Sequence, residues 1–539
     1  MFPEDQFDFT DDVSKESIDS NNCPNEEVKK SPKHSNFYDS FFQAQFSGFN
    51  DLYVDVVSPP FQSCDDDEIR KILGIESYNS SPIEPEEKES RVLPMSSFEI
   101  LRKHGSKRLR SKGAKTNSGC QVQPSINTIS TEKIIELGAE KFIQSLSQSS
   151  NLYTSCILGH SKDVQLIQYL LLCAEKIGEK KYEWANKLLH ECEIMSSCIG
   201  TPIERLVFYF TGALYEKIDR EMGRITPKGL GKEKVLDPFE VMKCSNTSFL
   251  AFHETYPLMQ VSKFSGMQAV LEEVVDARNV HMIDLEIRDG VKWTILMQAL
   301  AGRHENPIQR LKITAVGMKS KASMEEAGRR LMAFSKSLNL NFCFDVIMVE
   351  DVLNLNKDLF NLDDDEAVAV YAAYTLTNMI GRPHQIEHLM EVIKIINPCV
   401  LIVTEVEANC NSPTFVGRFV EALFFYGAFF DSLADCMKND EISRREIESK
   451  CLSSSIRNLV ATEGGERKVR HVSINVWRAF FEHFGLMETD LSHSSVYQAN
   501  LVCQSFPCGS SCTFRMNGKC LTFGWKGTPL FSVSAWKFQ

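Results

Sequence analysis

The stretch "VHMIDLEIRDGVKW", Val280 to Trp293, is where chemistry would first be sought: an apolar run ends on a carboxylate, then charged residues and one glycine lead into an amphipathic segment. That is the layout of a buried parallel strand feeding a helix, where α/β folds seat a nucleotide or a methyl donor. Such a site needs backbone amides bared by a glycine-rich loop. Here only Gly290 is available, and Glu286, Arg288 and Asp289 fill the approach. The loop therefore reads as scaffold or recognition surface, with no cofactor expected. Asp284 is expected to end the strand and accept a hydrogen bond from the loop beyond it.

Other catalytic signatures fail on spacing. Gly231-Lys232 has Thr226 where a P-loop needs its earlier glycine, and no Ser or Thr follows. Ser161 in "GHSKD" lacks the second glycine of a nucleophile elbow. The twelve histidines form no paired helical motif, so no catalytic residue and no metal site is expected. Cys503, Cys508, Cys512 and Cys520 could in principle enclose zinc, but their spacing is not that of paired knuckles. They read as small buried residues, and the odd total of 17 scattered cysteines reads as reduced thiols in an intracellular protein.

The elements that would position these groups follow from composition and period. With 539 residues and 43% hydrophobic content the chain can bury a large core. Charge is uneven: residues 1–100 hold about 22 acidic and about 8 basic side chains, essentially the whole net charge of -13. Residues 1–125 lack periodicity and read as a disordered tail. Within it, seven aromatics from Phe37 to Tyr53 sit among acidic residues, the pattern either of an activation segment that folds on a partner or of a plain solvated linker. Arg102, Lys103, Lys107, Arg108, Arg110, Lys112 and Lys115 form a basic cluster at 102–115, a candidate nuclear import signal.

Amphipathic helices follow over about 131–275, among them "TPIERLVFYFTGALYEKI", which opens with Thr201 as N-cap, Pro202 in the first turn and Glu204 to complete a capping box. "IQYLL", Ile167 to Leu171, could anchor a partner's groove, though core packing is the expected role. No apolar run is long enough to span a membrane. From about 276 to 539, short apolar runs alternate with helical stretches, with helices expected from Trp293 and Met324, predicting a mostly parallel doubly wound sheet. Asn517-Gly518 predicts a closing type I′ hairpin that pairs Phe514 with Leu521 and Cys512 with Phe523, an antiparallel C-terminal edge. Trp525 and Trp536 would be buried there.

The chain from about 160 to 539 resembles the plant GRAS family of transcriptional regulators. Val280, His281, Met282, Ile283 and Asp284 are similar to its VHIID motif. Pro398, Phe425 and Tyr426, with the Arg418/Glu421 helix, resemble its PFYRE region. Arg467 and Arg470 resemble its RVER motif, and Ser534, Ala535 and Trp536 its terminal SAW motif. The tail holds neither the DELLA nor the VHYNP sequence of the gibberellin-responsive subgroup, and "SGMQA" stands where the family usually has Ala-Asn-Gln-Ala. The resemblance implies a Rossmann-like, methyltransferase-shaped α/β core with an N-terminal helical cap. It also implies nuclear transcription control through contacts with transcription factors and other GRAS proteins, as homo- or heterodimers, and no enzyme activity. The rival expectation is direct DNA contact through Arg467, Lys468, Arg470, His471 and Arg478, whose alternative is pairing within the domain.

Overall fold

The computed structural model describes residues 130–147, 161–224, 245–318, 321–412 and 414–539. The tail, its aromatic segment and the 102–115 cluster lie outside the described residues.

Helices α1 (Thr131–Ser147), α2 (Lys162–Gly178), α3 (Tyr182–Met195) and α4 (Pro202–Glu221) open the described chain. Thr201 caps α4 by accepting from the Glu204 N–H at 3.2 Å. The Glu204 carboxylate pairs with Lys162 of α2. Ile167, Leu170 and Leu171 are buried, so the "IQYLL" stretch packs inward. Helices α5 (Asn246–Thr255) and α6 (Pro257–Glu273) then lead into the sheet.

The sheet is built from β1 (Asn279–Asp284), β2 (Arg310–Gly317), β3 (Phe342–Met348), β4 (Ala367–Ala373) and β5 (Val400–Val406), all parallel, in the order β3-β2-β1-β4-β5. Their Val, Ile and Ala runs suit strands covered on both faces. Helices α7 (Val291–Ala301), α8 (Lys321–Ser337) and α9 (Pro383–Ile396) connect them; α7 and α8 begin two and three residues before the positions read from the sequence. Beyond β5 the chain reverses direction. The long β9 (Thr528–Phe538) runs antiparallel to β5, carries β8 (Cys520–Trp525) and β6 (Leu486–Thr489) on its other side, and β8 pairs with β7 (Cys512–Asn517). The mixed sheet with its antiparallel C-terminal end is the architecture the alternating pattern predicts.

Two expectations need correction. The hairpin pairs Phe514 with Phe523 and Cys512 with Trp525, so its two loop residues are Gly518 and Lys519 rather than Asn517 and Gly518. Arg478 explains the shift: it donates to the Asn517 carbonyl and, at 3.1 Å, to Asn517 Oδ1, drawing Asn517 into the strand. Gly518 then takes the positive φ of 61°. The helical cap is also not confined to 131–275. Helix α10 (Phe415–Cys436) and the run α11 (Glu441–Glu446), π turn Ile447–Leu452 and α12 (Ser453–Ala461) come from the second half, and α10 and α12 pack onto α4. The remaining helices are α13 (Ile474–His483), against β6, and α14 (His493–Gln504), against α6. No described helix is long and apolar enough to cross a membrane.

Candidate functional site

The end of β1 is the position at which a doubly wound sheet meets a ligand. Asp284 is fully buried there, and both its oxygens are engaged. Oδ1 accepts from the Glu286 N–H at 3.1 Å and from Lys292 Nζ at 3.0 Å, and Oδ2 accepts from Trp293 Nε1 at 2.7 Å. Lys292 donates again to the Glu286 carbonyl at 3.0 Å and lies 4.9 Å from the Tyr371 ring centroid. The loop bond expected of Asp284 is present. Lys292 and Trp293, from the first turn of α7, were not foreseen as its partners, although a Lys and a Trp eight and nine residues on could have suggested them.

The loop itself is shaped by left-handed residues, Arg288 at φ 52° and Gly290 at φ 76°. A Cβ on Gly290 would also sit 3.2 Å from Leu331 of α8. Across the sheet edge Tyr374, at φ 57°, carries the Arg288 guanidinium 5.7 Å from its ring. Beneath them Glu405 accepts from the Leu376 and Thr377 N–H groups at 3.0 and 3.1 Å, and burial pushes its carboxyl up to about 8.

The remaining motif residues are structural in placement. Val280, Met282 and Ile283 are buried in β1. His281 sits 2.6 Å from Glu366 Oε1 and 2.7 Å from Thr314 Oγ1, and burial lowers its pKa against the opposing pull of Glu366. Pro398 follows Asn397, the left-handed C-cap of α9. Phe425 and Tyr426 are buried on α10, Phe425 packing on His471 and Tyr426 on Phe210 of α4. Ser534, Ala535 and Trp536 lie in β9 beside Leu401, Ile402 and Val403 of β5. The Trp536 indole donates to Ser534 Oγ at 2.8 Å and packs on Phe481.

The candidate DNA-contacting cations are held within the domain to differing degrees. Arg478 forks onto Glu488 at 2.8 and 3.1 Å and reaches Asn475 at 2.8 Å. The Lys468 and Val469 N–H groups both donate to Asn458 Oδ1 at 2.8 Å, which fixes this extended segment against α12. Arg470 donates to the carbonyls of Arg467 and Gly464 and to Asn411 Oδ1. His471 is buried, which pushes its imidazole down to about 4. Arg467 is only 6% exposed. Long cations normally snorkel to water, so nothing in the sequence announced that burial.

Of the four C-terminal cysteines, Cys508 faces Cys436 across 3.2 Å, a neighbour the sequence spacing could not reveal, while Cys520 is buried at the start of β8. Among the described residues no three His, Cys, Asp or Glu side chains are arranged to hold a metal ion.

With this geometry in view, the comparisons with known proteins are specific. The GRAS domain family model matches residues 166–537. The chain is 29% identical over 378 residues to the DELLA protein GAI1 of Vitis vinifera, which covers 69% of this chain and 62% of that protein. It therefore spans less than two thirds of the length of that relative. It is 30% identical over 394 residues to the DELLA protein RGL3 of Arabidopsis thaliana, with 72% of each chain covered. The crystal structure of SCL7 from Oryza sativa superimposes with a TM-score of 0.61 at 27% identity, covering 69% of this chain and 99% of that one.

Proposed function

The chain belongs to the GRAS domain family of plant regulatory proteins, and on that premise we propose that it is a nuclear transcriptional regulator acting through protein contacts of its folded domain. The observation that carries this reading is the internal engagement of Asp284. A carboxylate that both pairs with Lys292 and holds the Trp293 indole ties the end of β1 to the first turn of α7 and so fixes the start of the loop between them. Such a loop offers shape to a protein partner, and transcription factors and other GRAS proteins are the partners proposed. The acidic, aromatic tail would recruit the transcription machinery, and the basic cluster at 102–115 would carry the chain into the nucleus.

The test is a reporter assay with the full chain tethered to a heterologous DNA-binding domain, with and without residues 1–100. Reporter output is expected to change when the tail is removed; unchanged output counts against the tail's role. Thermal unfolding with and without S-adenosylmethionine addresses the enzyme alternative. No shift is expected, and a saturable shift would reopen it.

A further inference from the structure

We propose that the basic residues Arg418, Arg467 and Arg470 form a binding site for a small oxyanion of the phosphate class, buried beneath the turn at Gly464-Gly465. Two nitrogens of the Arg467 guanidinium, Nε and Nη1, are buried without any hydrogen-bond acceptor. The third, Nη2, makes one long contact of 3.4 Å to Asn411 Oδ1. That same oxygen is shared with Arg470 Nη1 at 3.2 Å. A guanidinium has five donors and no acceptor, so two bare nitrogens in a dry site are costly unless a counter-ion is supplied.

The charges around Arg467 do not supply one. Burial, and after it the neighbouring cations Arg418 and Arg470, pull its pKa down to about 10. Glu463 is the carboxylate that acts on both Arg467 and Arg470. Its Oε1 is already committed to Arg418 at 2.5 Å and to Lys217 at 3.0 Å, and its side chain is half exposed. Arg418 and Arg470 thus lie close enough to act on the Arg467 charge, and the carboxylate that acts on Arg467 is already held by Arg418 and Lys217, an arrangement that favours a compact, multiply charged anion.

The position decides the size of the ligand. Arg467 lies below the surface, out of reach of a phosphate in a duplex backbone, whereas Arg470 is half-buried and reaches Gly464. An anion there would tie the 467–471 segment to the loop at Asn411 and to α10. Free phosphate and a phosphoryl group on a small ester share the required chemistry.

The experiment is thermal unfolding of the full chain in inorganic phosphate against sodium chloride at matched ionic strength, with O-phosphoserine as a further arm. Phosphate is expected to raise the melting temperature saturably by about 2–4 °C. The rise should vanish in Arg467→Met and fall several-fold in Arg470→Gln, which keeps the test informative if the buried variant does not fold. It should persist in Arg515→Gln, an exposed cation on β7. Phosphoserine matching phosphate identifies a phosphoryl ester as an accepted source, and its exclusion identifies the free ion; either supports the site. Equal stabilisation by chloride, or an undiminished phosphate effect in Arg470→Gln, overturns it.

Discussion

Asp284 and Trp293, the last residue of β1 and the third of α7, are joined by a 2.7 Å hydrogen bond from indole to carboxylate in a fully buried setting. With the Lys292 ammonium 3.0 Å from both carboxylate oxygens, this bond locks the first strand to the first crossover helix. The motif residues at the head of the α/β core thus serve a joint that holds the loop.

Replacing Asp284 by Ala should therefore cost about 3–5 kcal/mol, because it leaves the Lys292 charge buried and the indole N–H unpaired. Urea unfolding of the variant reads this directly. The double variant Asp284→Ala with Lys292→Met should recover part of the loss. Unchanged stability in the single variant, with one partner interaction abolished, would instead make the loop a contact surface and nothing more.

Trp536 should be a costly side chain to remove from the closing segment. It is 2% exposed and packs on Phe481, so Trp536→Ala is expected to lose about 3–5 kcal/mol in chemical denaturation. Truncation after residue 520 removes β9, which pairs with β5, β6 and β8, and should abolish the cooperative melting transition.

Glu405 predicts a pH dependence. Its native carboxyl is raised from the ordinary value of 4.5 to about 8, with burial as the main cause. Between those values the unfolded chain releases the proton while the native protein retains it, so this group's contribution is full below about 4.5 and is lost as pH rises towards 8. Glu405→Gln removes that loss. The difference in melting temperature between variant and parent should move in favour of the variant from pH 5 to pH 8; a constant offset would contradict the assignment.

Arg478 joins the β7–β8 turn to β6 through Asn517 and Glu488. Arg478→Gln should lower stability by about 1–3 kcal/mol through the lost charge-assisted bonds, measurable by thermal unfolding. It should leave any DNA affinity of the full chain unchanged.

Much of this was legible because it is local. Buried parallel strands announce themselves as unbroken runs such as "VLIV", and the α4 cap sits within four residues of sequence. The hairpin register was not, since Asn-Gly fixes a turn only until a distant side chain such as Arg478 competes for the asparagine. The contribution of α10 and α12 to the cap, the Cys436 to Cys508 approach and the burial of Arg467 all depend on contacts far apart in the chain, which periodicity does not encode. The carboxylate of Asp284 was visible as a strand end, but its partners were set by the rotation of α7.

If the folded domain regulates through protein partners, as proposed, Arg478 serves the fold rather than DNA. Fluorescence anisotropy of the full chain with randomised and selected duplex DNA, across a salt series, tests this most directly. Weak binding without sequence preference is predicted, unaffected by Arg478→Gln. Selective binding with a steep salt slope, lost on that substitution, would contradict it and make the protein a reader of DNA in its own right.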